Sequence, residues 1–305
     1  MEQRVAKRSG NLESSLNQVR NVFDVSNILE KRQARPQIIH YYFINRLTLL
    51  FYNSNGFFHY GISYDGKYKK NDHKEHARII ERYIQERDAK KVMELGSGLG
   101  PNIAFLARRN PNVVFDGVDL SNKPLNRNTT PPNAFFYFGD FHHLSQFEDD
   151  SYDIIYIIEA LCYATDKSRV LHEARRKLRT GGLLIVFDGY QRNRVEPLNP
   201  SEGVMWGLIS KSLACETIEY VQVVEDYMRK EFSITEVKDL TQCVLPSLFR
   251  FKRLARFYFR RPTLARAVNT FVPHDVVKNT IHILLLPISV ERQVGCYYMH
   301  VLQKD

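Results

Sequence analysis

One stretch constrains this chain more than any other: Lys91 to Gly100 reads KVMELGSGLG, an apolar run that ends in an acid and enters glycines spaced G-x-G-x-G. Val92, Met93 and Leu95 suit a buried parallel strand, and Gly96, Gly98 and Gly100 let the backbone turn without Cβ clashes and approach a ligand closely. Pro101 then stands where the first turn of a helix accepts it. The pattern predicts strand, turn and helix, the opening unit of a doubly wound α/β sheet. A dinucleotide site of the G-x-G-x-x-G type would need its third glycine where Pro101 stands.

Two further strand ends carry acids. Val113 to Asp119 reads as a second strand, with Asp119 placed to accept from ribose hydroxyls. Ala134 to Phe138 reads as a third, and after it Asp140 suits an adenine amine with Phe141 over the ring. S-adenosylmethionine has no phosphates to cradle, so a glycine turn with Glu94 near the amino-acid end suits it better than it suits a dinucleotide. The expected cofactor set is Tyr60, Glu94, Gly96, Ser97, Gly98, Gly100, Asn102, Asp119, Leu120, Asp140, Phe141 and Glu159. Ser151 to Tyr190 repeats strand, helix and strand: Val170, Leu171, Ala174 and Leu178 fall at helical spacing, and Gly181-Gly182 is expected to stop the helix. Arg175, Arg176, Lys177 and Arg179 are expected to form a solvated face.

On these residues the chain resembles the class I S-adenosylmethionine-dependent methyltransferases, and within them the sterol, tocopherol and terpenoid group. The resemblance runs from about Tyr52 to the C-terminus and rests on ELGSGLG, VDLS, GDFHHL, YDIIYIIEALCYATDK and TGGLLIVFD. FHYGISYDG, Phe58 to Gly66, is similar to a segment that lies over the cofactor, with a helix to follow at about 72–86. KEFSITEVKDLTQCVLPSL resembles the sixth strand and its helix, and GCYYMHVLQK the seventh, antiparallel strand. The implied fold is a seven-stranded, mostly parallel sheet. A helical arm and lid would span residues 1–70 and the methyltransferase domain 71–305, with a helical cap inserted at about 241–294. The implied activity is methylation of a hydrophobic small molecule, foremost carbon methylation of an isoprenoid or sterol-like alkene, yielding S-adenosylhomocysteine. Methylation of oxygen or nitrogen in a phenolic or amine compound is the alternative, and a non-catalytic cofactor-binding or membrane-surface protein is the reading from another class. Phe187-Asp188-Gly189-Tyr190 departs from the sterol enzymes' Tyr-Glu-Trp after the fifth strand.

Methylation of an alkene leaves a carbocation, which aromatic faces stabilise and a base must deprotonate. Glu159 and Asp188 stand at the ends of the fourth and fifth strands, the edge where open α/β sheets bind ligands. Glu159 is the first choice as base and His59 the second. Tyr60, Tyr163, Tyr190 and Trp206 are expected as aromatic walls, with Phe58 beside the acceptor. His142 and His143 lack a partner set, and no metal is expected.

The four cysteines, Cys162, Cys215, Cys243 and Cys296, show no paired spacing, which favours a reduced, cytoplasmic protein. No apolar stretch reaches a membrane span and the N-terminus lacks a secretory core, so a soluble or peripheral protein is expected. Residues 1 to about 35, with Leu16, Val19, Val22 and Phe23 weakly periodic, read as an arm or flexible leader. Ile38 to Tyr52 reads as a helix packed over a pocket. Much of the net charge of +9 gathers in Leu248 to Arg261. As a helix this segment would bury Leu248, Phe251, Leu254, Ala255 and Tyr258 and present Arg250, Arg253, Arg256 and Arg260, a pattern suited to a solvated outer face, to peripheral contact with an anionic membrane or to gathering an acidic substrate. No recognition motif accompanies the charge, so nucleic acid is not an expected partner. Homo-oligomer formation is compatible with the sequence.

Overall fold

A computed structural model describes residues 12–31, 56–120 and 130–305. Seven strands form one sheet in the order β3-β2-β1-β4-β5-β7-β6. They are β1 (Lys91–Leu95), β2 (Val114–Asp119), β3 (Ala134–Phe138), β4 (Tyr152–Ile158), β5 (Leu178–Gln191), β6 (Ser233–Asp239) and β7 (Gly295–Gln303). All neighbours are parallel except β7, which runs antiparallel between β5 and β6. The order reverses between β1 and β4, and a ligand crevice belongs at the strand ends there.

β4 shows why a run such as YDIIYII makes a central strand. Every residue in it is buried. Ile154, Tyr156 and Ile158 pack on one face, and Ile155 and Ile157 on the other. The first face is covered by helices α3 (Glu75–Glu86) and α4 (Pro101–Arg109), through Ala77, Ile80, Ile84, Ile103 and Leu106. The second is covered by α5 (Lys167–Lys177) and α7 (Val221–Glu231), through Val170, Leu171, Ala174, Val224 and Met228. Coverage on both faces explains the continuous apolar runs of the central strands.

A third core lies beyond the strand ends. It joins the helical residues 12–20 (α1) and α2 (Val25–Glu30) to α6 (Pro200–Ser212), α8 (Thr241–Phe259) and α10 (His274–Glu291). The short α9 (Pro262–Phe271) links α8 to α10. Leu12, Leu16, Val19 and Phe23 are all buried in this core. Full burial of each such side chain is worth roughly 1.5–3 kcal/mol. Residues 12–31 are therefore a packed element rather than a flexible leader, because a helix places those apolar positions on one stripe.

Three other expectations change. α5 ends at Lys177, before the glycine pair, because Leu178 already pairs with Tyr152 at the start of β4. Its basic end is not a solvated face: Lys177 is only 1% exposed and pairs with Asp149, and Arg176 pairs with Glu173. In α8, Leu254 is 54% exposed and Tyr258 half-buried, while Val244, Leu248, Ala255 and Phe259 form the buried stripe. The expected helix at Ile38 to Tyr52 lies outside the described residues.

Candidate active site

The site begins where β1 ends. Gly96 and Gly100 both take φ of 76°, a left-handed conformation that favours glycine. Space makes the same demand: a Cβ on Gly96 would lie 2.5 Å from that of Ala160, and one on Gly100 would lie 2.3 Å from the Phe136 ring. Gly98 N–H donates to Asp119 Oδ2 at 2.9 Å, fastening the turn to the end of β2. Glu94 is buried behind the turn, accepting from Asn102 Nδ2 at 3.0 Å and from the Tyr156 hydroxyl at 3.2 Å. Desolvation raises its pKa to about 8, against the pull of those two donors.

Glu159 follows β4 with φ of 48°, an uncommon backbone state for a residue with a side chain. Its Oε1 accepts from the Tyr60 backbone N–H at 2.9 Å and from the Tyr297 hydroxyl at 3.0 Å. Burial pushes this carboxyl up to about 8 as well. Behind it, His76 Nε2 stands 2.9 Å from the Tyr297 hydroxyl. Since that hydroxyl gives its proton to Glu159, the His76 nitrogen facing it is the donor. Asp188 accepts from the backbone N–H of Cys162 at 2.9 Å and of Gly189 at 2.7 Å, and burial raises its pKa to about 6. His59 is held between the Tyr60 carbonyl and Asn102, and burial lowers its pKa to about 4.

Most of these groups line one cavity of about 340 Å³, with Tyr156 and His76 behind its wall. Its wall passes from the β1–α4 turn across the ends of β4 and β5 to helices α6, α8 and α10. Among the expected cofactor residues it gathers Tyr60, Glu94, Gly96, Ser97, Gly98, Asn102, Asp119, Leu120 and Glu159. His59, Asp188, Tyr163, Phe58, Tyr190 and Trp206 stand on the same wall. Gly100, Asp140 and Phe141 are not part of it. Gly100 is backed by Phe136, and Asp140 turns its Oδ1 to His142 Nδ1 at 2.6 Å. The Phe141 ring packs against the turn, 3.9 Å from where a Cβ on Gly96 would stand.

His59, His76 and Glu159 each bring a possible metal-ligand atom within 4.8 Å of the others. The Tyr297 hydroxyl bridges Glu159 and His76 Nε2, and His59 is engaged by the Tyr60 carbonyl and Asn102, while Nδ1 of His76 is buried without a partner. Sequence reasoning did not single out Tyr297, His76 or His282, which also lines the cavity. Tyr297 sits in a β7 stretch whose alternation marks it only as one side of a strand, and His76 is one polar residue among the apolar positions of α3.

The sheet order, the glycine turn and the acids on the cavity wall define a class, the S-adenosylmethionine-dependent transferases of the doubly wound α/β type. The residues fit that cofactor: the turn admits close contact because any Cβ at Gly96 is excluded, and the buried acid Glu94 and the strand-end acid Asp119 share one cavity wall. Residues 93–186 match the family described as a methyltransferase domain. The chain is 25% identical to the methyltransferase GfsG of Streptomyces halstedii over 56% of its own length and 65% of that protein. It is 23% identical to cycloartenol-C-24-methyltransferase of Arabidopsis thaliana over 89% of its length and 82% of that protein. The geranyl diphosphate C-methyltransferase of Streptomyces coelicolor A3(2) shares the fold at a TM-score of 0.62 and 15% identity, covering 90% of this chain and 100% of that one. Several of the curated relatives are matched over about half of their length, such as the demethylmenaquinone methyltransferase of Thermotoga maritima at 51%. Residues 93–186 therefore form a methyltransferase domain, in a chain that shares the class I methyltransferase fold.

Proposed function

We propose that this protein methylates a carbon atom of a hydrophobic, isoprenoid or sterol-like alkene. The observation that carries the reading is the junction at Glu159, where a buried carboxyl with raised proton affinity stands between the glycine-turn end of the cavity and a wall containing Tyr163, Tyr190 and Trp206. Bound S-adenosylmethionine supplies an electrophilic methyl group. Glu94, Gly96, Ser97, Gly98, Asn102, Asp119 and Leu120 would hold it, with Glu94 toward its amino group and Asp119 toward its ribose. The aromatic faces stabilise positive charge on the acceptor once the new carbon–carbon bond has formed. Glu159 then takes a proton from the adjacent carbon and the double bond is restored. Asp188, engaged by two backbone N–H groups, positions the Cys162 turn. Similarity to a cycloartenol methyltransferase supports an acceptor of this kind.

The exposed side of α8 and α9 supports peripheral contact with an anionic membrane, where a lipophilic acceptor would be met. Leu254, Phe257, Leu264 and Phe271 are exposed there beside Arg253, Arg256, Arg260 and Arg261. Among the described residues no helix is long and apolar enough to cross a membrane. The deciding experiment incubates the protein with methyl-labelled cofactor and a panel of prenyl, sterol, phenolic and amine acceptors. Label on carbon of a prenyl or sterol acceptor supports the reading; label on oxygen or nitrogen alone replaces it with heteroatom methylation.

A further inference from the structure

We propose that the cap end of the cavity is a subsite for a neutral hydroxyl group of the acceptor, whose hydrogen is taken by Nδ1 of His282. This deepens the reading of a hydrophobic acceptor and rests on it. His282 lies on α10 and lines the cavity. It is only 6% exposed, and its Nδ1 has no hydrogen-bond partner. The ring makes its hydrogen bond to the Ser212 backbone, which leaves Nδ1 as the bare acceptor. Burial lowers the pKa to about 3, so the ring stays neutral at working pH and keeps that lone pair. A buried acceptor without a donor is costly and uncommon, and on a residue that lines a ligand cavity it points to a donor brought by the ligand.

The surroundings select the kind of donor. The acids on the wall, Glu94, Asp119, Glu159 and Asp188, belong to the strand ends, while His282 is flanked by Asn279, Thr280 and Ile283. Among the described residues a cationic group at the cap end would therefore lack a carboxylate. Among the described residues no lysine or arginine lines the cavity, and an anionic group would face the His282 lone pair. The Thr280 hydroxyl donates to the Val277 carbonyl at 2.6 Å, so toward a ligand its oxygen is also an acceptor. A neutral hydroxyl satisfies these groups without burying a charge.

Trp206, the single tryptophan of the chain, stands on the same wall and reports occupancy without any turnover. The test titrates the full chain, with S-adenosylhomocysteine present, with farnesol, farnesyl methyl ether and farnesyl diphosphate, following tryptophan fluorescence. The expected result is saturable binding of the alcohol about tenfold or more tighter than of the ether or the diphosphate. In H282L the alcohol should fall to the affinity of the ether, and H282Q, which keeps an acceptor, should retain part of the preference. Equal affinity for alcohol and ether, absence of saturable alcohol binding, or an alcohol preference undiminished in H282L would overturn the subsite. Should H282L fail to fold, the wild-type comparison and H282Q decide. Labelled methyl transfer separates the two readings. Alcohol-selective binding without carbon methylation of any prenyl or sterol acceptor removes the reaction and keeps the subsite; carbon methylation with no alcohol preference does the reverse.

Discussion

Glu159 draws its chemistry from its neighbours. Burial raises its proton affinity, and the Tyr297 hydroxyl and Tyr60 N–H hold it below the value that burial alone would set. E159Q should lower kcat by about 10²–10⁴ while S-adenosylhomocysteine binding, measured calorimetrically, changes little. Y297F removes a donor to the carboxylate, so the acidic limb of the pH–rate profile, set by ionisation of Glu159 near 8, should move to higher pH with KM nearly constant. A Tyr297 that only packs would leave that limb in place. Glu159 was legible because an acid closing an apolar strand stands out in a sequence. Tyr297 was not: it lies 138 residues from Glu159 and 221 from His76, and a hydrogen bond across such a span leaves no local pattern.

Among elements, the glycine turn was readable because its requirement is local. Gly100 needs a left-handed backbone and the space occupied by Phe136. G100A should destabilise the fold by roughly 1–3 kcal/mol in denaturant titration and weaken cofactor binding through the displaced turn. The exposed side of α8 was read less well. Helical spacing locates a stripe, but which stripe faces inward depends on α10 and β7, which pack against it from later in the chain. Leu248 and Ala255 face inward as expected while Leu254 turns outward, and Phe257 is 62% exposed with its ring centroid 4.1 Å from the Arg261 guanidinium. Sedimentation with anionic liposomes should capture the protein at low salt and release it as salt rises, and R253A/R256A should weaken capture several-fold. Capture unaffected by those changes would place any membrane contact elsewhere.

For the whole molecule, buried titratable groups shape stability in two opposed ways. His59 and His282 are neutral in the fold down to about 4 and about 3, whereas in the unfolded chain they charge below 6.5, so their contribution to stability grows as pH rises toward 6.5. Glu94 and Glu159 are protonated in the fold up to about 8 but ionise near 4.5 when unfolded, so their contribution is lost as pH rises from 4.5 to 8. Above 6.5 only the carboxyl effect remains. The ligand-free protein should show a Tm that falls between pH 6.5 and 8 in scanning calorimetry, and E159Q should make that fall shallower; an equal slope in both proteins would contradict the assignment. The seven-stranded, mostly parallel sheet was legible at this scale, since apolar strands closed by acids recur along the chain. The cavity was not, because its wall is assembled from helices contributed by distant parts of the chain.

The packing of residues 12–31 carries a consequence for how the protein is made. This segment is made long before its partners: Glu13 bonds to Ser201, 188 residues on, and Arg266, 245 residues on, donates to the Asn21 carbonyl at 2.9 Å. Such long loops close late. Strands β1 to β5 and the glycine turn can form while the helical end of the cavity still stands open, so the turn is built before the wall that faces it.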